Sequence, residues 1–147
     1  MYSHILIPTD GTELSHQAVE KGIAFALEQK AKITLLYVQP DFSVPLGSES
    51  VMLAPETRED YAKASQEQAR KILEKAAAVA AHFGVKADPI TTVNNSPYEV
   101  IIETARSNNC DLIFMASHGR RGLEGLLIGS VTQKVLTHCK TPVLVYR

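Results

Sequence analysis

Residues 115–132 hold the densest set of groups able to grip an anion. Met115-Ala116-Ser117-His118-Gly119 is followed by nine residues and then by Gly129-Ser130-Val131-Thr132. The first half closes a continuous apolar run, Leu112-Ile113-Phe114-Met115, and the second opens a helical pattern running to about His138. Glycine lets a backbone approach a ligand closely or take positive φ. The amides of a helix N-terminus carry partial positive charge and suit a phosphate. The hydroxyls of Ser130 and Thr132 add hydrogen bonds or help place a metal ion. Taken singly, Gly119, Gly122, Gly125 and Gly129 read as turn residues, and Ser130 as a helix cap. A strand end, a glycine and a glycine–serine helix start in succession read as an anion site.

Two common phosphate sites are excluded. No Gly-Lys-Ser or Gly-Lys-Thr occurs, and no Gly-x-Gly-x-x-Gly fingerprint. Arg120 is placed to make charge-assisted bonds to a phosphate, with Arg121 the weaker candidate. His118 has no paired carboxylate in its vicinity of sequence and reads as a loop histidine rather than a proton-transfer group. A second polar cluster, Pro8-Thr9-Asp10-Gly11, follows the apolar run Ile5-Leu6-Ile7. Asp10 and Glu13 also have capping-box spacing. A carboxylate beside phosphates repels them unless a cation such as Mg²⁺ lies between. His138, Cys139 and Cys110 show no Cys-x-x-Cys or His-x-x-x-His spacing, so zinc is not expected. Ser15-His16 begins a helix without a triad, and Tyr61 reads as core.

These residues need elements to hold them. His4–Pro8, Ile33–Gln39, Val85–Val93, Asp111–Ala116 and Pro142–Tyr146 read as strands, four of them with nearly continuous apolar runs. That is the pattern of strands buried on both faces of a parallel sheet. Between them lie helices. Thr12 caps one carrying Val19, Ile23, Ala26 and Leu27 on a single face. Pro55 opens a long one in which Tyr61, Ala69, Ile72, Ala76, Val79 and Phe83 recur, and Gly84 stops it. Its charges, from Glu56 to Lys75, read as a solvated face. Ser96, Pro97 and Glu99 form a capping box for a third helix, and Ser130 with Gln133 repeats the spacing for a fourth. Five strands alternating with four helices predict a doubly wound parallel α/β sheet. Residues 40–54, with Pro45 and Gly47, lack a sustained period and read as a functional flap or a disordered segment.

Composition sets the bounds. A chain of 147 residues fits one domain, residues 1–147, burying roughly 70% of its unfolded surface. Fifteen basic against sixteen acidic residues give a formal charge of −1, so no broad field attracts nucleic acid or an anionic membrane. No run reaches the length of a membrane span, and Pro8 stops the N-terminal apolar run short of a signal sequence. Two cysteines make no disulfide scaffold, which sets a reducing, cytoplasmic location as the expectation.

The motifs together resemble the ATP-binding subgroup of the universal stress proteins over essentially the whole chain. That subgroup carries Gly-x-x-Gly, nine residues, then Gly followed by Ser or Thr. Here Ala116-x-x-Gly119, nine residues and Gly129-Ser130 stand in those places. Ile5-Leu6-Ile7-Pro8-Thr9-Asp10-Gly11 and Thr141-Pro142-Val143-Leu144-Val145 resemble the family's first and last strands. Ala116 replaces the usual first glycine, a change expected to be tolerated.

The resemblance implies a Rossmann-like sheet in the order 3-2-1-4-5, which sets Asp10 across a crevice from Gly119. It implies ATP or another adenine nucleotide, with Mg²⁺, as ligand. Pro8, Thr9, Asp10 and Val38 would flank the adenine and ribose, with Asp10 holding the ribose or a phosphate-bound metal. Met115, Ala116, His118, Gly119 and Arg120 would surround the phosphates, together with Gly129, Ser130, Val131 and Thr132. A regulatory role in the stress response follows, with a regulatory protein as partner. Two other readings stay open: slow ATP hydrolysis or autophosphorylation, and a nucleotide-free scaffold. Val143-Leu144-Val145 would form an apolar sheet edge that invites association, and the family resemblance implies a homodimer through Pro142–Tyr146.

Overall fold

Strands and helices alternate as the apolar runs predict: β1 (His4–Pro8), α1 (Glu13–Gln29), β2 (Lys32–Gln39), α2 (Pro55–His82), β3 (Ala87–Val93), α3 (Pro97–Ser107), β4 (Leu112–Ala116), α4 (Ser130–His138) and β5 (Val143–Tyr146). The computed structural model describes residues 1–41, 55–119 and 128–147. The expected flap lies outside the described residues from 42 to 54, as do Arg120, Arg121, Gly122 and Gly125.

All five strands are parallel in one sheet of order β3-β2-β1-β4-β5. The chain winds outward from β1 to β3, then crosses back to β4 beside β1, so the strand order reverses between β1 and β4. Successive residues of a strand face opposite sides of the sheet, and the core divides accordingly. Ile5, Ile7, Ile33, Leu35, Leu112 and Phe114 bury against α1 and α2. Leu6, Leu36, Ile113 and Met115 bury against α3 and α4 through Ile101, Ala105 and Val135. Burial on both faces explains the continuous apolar runs of β1, β2 and β4. The edge strand β3 is instead largely exposed and carries Pro89, which a central strand would not tolerate.

Helix α1 starts as predicted: the Thr12 hydroxyl accepts from the Ser15 amide at 3.3 Å. Gly84, at φ 71°, follows the end of α2. Other expectations are corrected. Tyr61 is not core but 49% exposed, and Phe83 and Leu27 also lie largely at the surface. The stripe of α2 that packs is Ala69, Leu73, Ala76 and Ala80, so Tyr61 and Phe83 fall beyond its ends. Ser96 stands at the N-cap of α3 without a side-chain capping bond. Its amide donates to Asn94 Oδ1 at 2.7 Å, and Glu99 accepts from the Tyr98 hydroxyl at 2.8 Å. The capping box does not form, because each partner bonds a sequence neighbour instead. For α4 the N-cap is Gly129, one residue earlier than predicted.

Candidate functional site

The ladder between β1 and β4 pairs only Ile5 with Leu112 and Leu6 with Ile113. Pro8 accounts for its early end. The Thr9 amide donates to Leu36 on the β2 side at 2.8 Å. Backbone groups of adjacent strand residues point to opposite sides, so the Pro8 nitrogen faces β4, where it has no hydrogen to donate. The carboxyl ends of β1 and β4 therefore part at the reversal of strand order, the position at which open α/β sheets form a ligand crevice.

One wall of the crevice is the turn after β1. Gly11 takes φ 80°, in the left-handed region that favours glycine. Asp10 Oδ1 accepts from the Thr12 amide at 3.0 Å and the Thr12 hydroxyl at 2.6 Å. The Asp10 amide donates to Ser15 Oγ at 3.1 Å, and Ser15 Oγ donates to Thr9 Oγ1 at 2.9 Å. Asp10 thus shares the helix start with Thr12 rather than pairing with Glu13 as a capping box.

Its second oxygen, Oδ2, faces Gly119 on the opposite wall so closely that a Cβ on Gly119 would fall on it. Asp10 and Gly119 meet across the crevice, and Gly119 supplies room rather than positive φ, which it does not adopt.

The second wall is built from the end of β4 and the start of α4. The Ser117 amide donates to the Tyr146 carbonyl at 2.7 Å, and the Ser117 carbonyl accepts from the Gly129 amide at 2.6 Å. A Cβ on Gly129 would stand 3.3 Å from both the Ser117 oxygen and His118 Cα, so glycine lets the start of α4 close against this turn. As the N-cap, Gly129 offers no side chain to the first-turn amides of Ser130, Val131 and Thr132, which have no partner within the helix itself.

The remaining predicted residues divide. Thr132 is buried, and its hydroxyl donates to the Ala116 carbonyl at 2.9 Å. That hydroxyl braces the fold. Ser130 is exposed. Met115 is buried in the α3–α4 core, with Val38 and Val131 packed on its margin. Ala116 pairs with Tyr146 in β4–β5, and it belongs to the α1–α2 core. His118 Nδ1 lies 2.8 Å from Ser117 Oγ. Sequence reasoning missed Ser15 and Ser117, whose buried positions brace the two walls. A serine directly after a continuous apolar strand, and one three residues past an N-cap, were the available signals.

Among the described residues no cluster of three His, Cys, Asp or Glu side chains is arranged to hold a metal ion. Cys110 is unpaired and buried, and burial, with the Asp111 charge nearby, pushes its thiol up to about 11. No helix among the described residues is long and apolar enough to cross a membrane.

The universal stress protein family model matches residues 1–147. Universal stress protein MJ0531 of Methanocaldococcus jannaschii is 33% identical over 147 residues, covering all of this chain and 83% of the relative. Universal stress protein YxiE of Bacillus subtilis is 32% identical, with both chains fully covered. The solved structure of MJ0577 from M. jannaschii superposes with a TM-score of 0.82 at 30% identity, covering 99% of this chain and 95% of that one. More distant structures with the same fold include a universal stress protein in complex with cAMP, at a TM-score of 0.72 and 23% identity over 99% and 97% of the two chains. Another is a family member from Arabidopsis thaliana with AMP bound, at 0.64 and 18% over 97% and 90%. The chain belongs to the universal stress protein family.

Proposed function

We propose that this protein binds an adenine nucleotide, ATP with Mg²⁺ foremost, between the ends of β1 and β4. Occupancy would regulate a protein partner in the stress response. The observation that carries this reading is the pair of glycine cradles. Gly119 lets the Asp10 carboxylate seat where a Cβ would otherwise stand, and Gly129, as the N-cap, offers the first-turn amides of α4 no side chain of its own. The amides of Ser130, Val131 and Thr132 would hold phosphate oxygens, with Gly119 keeping the Asp10 carboxylate close beside them. Pro8, Thr9 and Val38 would border the base and ribose. Asp10 would accept from a ribose hydroxyl or meet a phosphate-bound cation, which removes its repulsion toward the phosphates. Met115 and Ala116 would support this wall from the core, and His118 and Arg120 would act beside the phosphates. The cAMP and AMP complexes of family members support the ligand class.

Micromolar binding requires about 8 kcal/mol, within reach of several charge-assisted amide bonds and an apolar slot for the base. Calorimetry with ATP and Mg²⁺ tests the reading. Gly129→Val should weaken affinity at least about tenfold, equivalent to about 1.4 kcal/mol, while circular dichroism stays unchanged. Equal affinity in a folded variant would remove α4 from the site. Incubation with labelled ATP should leave neither hydrolysed nucleotide nor labelled protein above buffer.

The same reading makes the protein a homodimer through β5, whose four residues are all only partly buried at the sheet edge. Light scattering at micromolar concentration should give the dimer mass, and a monomer mass would contradict it.

A further inference from the structure

Helices α1 and α2 enclose a groove of about 540 Å³ on the outer face of their layer. None of its lining residues belongs to the β1–β4 crevice, so what it does is independent of nucleotide binding. Its floor is small and apolar: Ala24 from α1, with Ala78, Val79 and Phe83 from α2 and its end. Phe83 is 40% exposed there, and Leu27, one turn beyond Ala24 on α1, is 43% exposed. Large apolar side chains left half in water beside a concave surface mark an interaction site more often than an isolated exposed leucine does.

The rim carries two lysines against one glutamate. Lys21 rises from α1 and Lys75 from α2, both exposed, and among the described residues neither has an ion-pair partner. One acidic group, Glu20, also stands in the lining, 3.4 Å from His16, which is charged only when protonated. His82 sets its ring edge-on to Phe83, with centroids 5.9 Å apart, closing one end of the groove. The groove therefore offers an apolar floor with one uncommitted positive charge on each wall.

We propose that this groove docks an acidic amphipathic helix of a partner protein. The hollow between two packed helices is where a third helix seats, and the short side chains of Ala24 and Ala78 let its backbone come close. The eight residue steps on each wall, from His16 to Ala24 and from Lys75 to Phe83, span about 12 Å at 1.5 Å per step. That length receives about two turns, with apolar anchors at i, i+3/i+4 and i+7 entering the floor. Carboxylates flanking those anchors would pair with Lys21 on one side and Lys75 on the other. The charge pattern selects this occupant over a basic helix, which the two lysines would repel.

The probe is a fluorescein-labelled synthetic peptide of about three helical turns, with leucines at those spacings and glutamates flanking them. A second peptide carries lysine in place of each glutamate. With the full-length protein, fluorescence anisotropy should show saturable binding of the acidic peptide only. Amide NMR shifts should concentrate at Lys21, Ala24, Ala78 and Phe83. The double variant Lys21→Glu/Lys75→Glu should bind the acidic peptide at least about tenfold more weakly and gain affinity for the basic one. Both positions are exposed, so the fold is kept. Phe83→Ser, which leaves the charges intact, should weaken binding several-fold. The proposal is overturned if charge reversal leaves peptide preference unchanged, or if the shifts map elsewhere. It is also overturned if the groove instead binds phosphatidylglycerol vesicles but no peptide, or if the Lys21→Glu/Lys75→Glu variant lowers the mass found by light scattering, which would make the groove a joint between two copies of this chain.

Discussion

Replacing Gly119 by alanine probes the crevice at its narrowest point. Gly119 does not adopt positive φ, so alanine brings no backbone strain of its own and the whole cost is steric. The added methyl would fall on Asp10 Oδ2, with Asp10 Cγ at 3.5 Å. The carboxylate cannot swing aside freely, because Oδ1 is held by the Thr12 amide at 3.0 Å and the Thr12 hydroxyl at 2.6 Å. Rotation sacrifices both bonds, and a hydrogen bond to a charged group contributes about 1.5–3 kcal/mol. The alternative is to push residues 118–119 away from β1, an overpacking cost of about 1–3 kcal/mol. The cheaper route decides, so Gly119→Ala should destabilise by about 1–3 kcal/mol.

Removing the obstructing atom removes the penalty. In an Asp10→Ala background the same alanine should cost less than about 0.5 kcal/mol. Urea unfolding of the four proteins closes the double-mutant cycle, with an expected coupling of at least about 1 kcal/mol. Additivity within about 0.5 kcal/mol would refute the juxtaposition of Asp10 and Gly119 and, with it, the geometry of the crevice.

Thr132→Val keeps the shape of a buried side chain but deletes its bond to the Ala116 carbonyl. Urea unfolding should show a loss of about 1–3 kcal/mol, largely restored by Thr132→Ser. Asp111 supplies a pH-dependent contribution at the other end of the sheet. Burial pushes its carboxyl up, but the Ser3 hydroxyl and the backbone amides of His4 and Ser3 outweigh it and hold the group below its ordinary value of 3.8. A carboxyl depressed in the folded state stabilises above its unfolded value and loses that contribution as pH falls through the folded one. Wild type should therefore be more stable than Asp111→Asn at neutral pH, and the gap should close as pH drops below about 4. A gap constant from pH 7 to below that range would contradict the role given to those bonds.

The sheet was legible because its central strands are buried on both faces. Ile5-Leu6-Ile7 and Leu112-Ile113-Phe114-Met115 have no polar alternation, and only a covered parallel sheet accommodates such runs. Helix faces were less legible. Tyr61 shares an apolar period with Ala69 and Ala76, yet the packing stripe lies at Ala69, Leu73, Ala76 and Ala80, and period alone does not say where contact with the sheet ends. Capping signals failed where polar groups had nearer partners. Asn94 takes the Ser96 amide, and Tyr98 takes Glu99. At the crevice, the glycines and Asp10 were readable as types in a pattern. The division of labour was not, because it depends on the third dimension. The Thr132 hydroxyl turns inward to a carbonyl sixteen residues away, and the missing amide hydrogen of Pro8 matters only because it faces β4.

Ala116 is the one departure from the family's glycine pattern, and the pleat of β4 turns its side chain away from the proposed site. Leu112, Phe114 and Ala116 share one face of the strand, and the Ala116 methyl is buried in the α1–α2 core. What position 116 gives to the second wall is its carbonyl, which accepts from Thr132, and a carbonyl is the same on alanine and glycine. Gly119 and Gly129 differ in kind, because at those positions a Cβ meets the Asp10 carboxylate or the Ser117–His118 backbone. Restoring the pattern with Ala116→Gly should therefore gain nothing at the site. ATP affinity should stay within about twofold, while stability falls by about 0.5–1 kcal/mol from the added backbone freedom and the lost methyl packing. Affinity rising about tenfold in Ala116→Gly would mean that the methyl intrudes on the nucleotide. In that case the inward orientation of residue 116 could not be what makes alanine acceptable there.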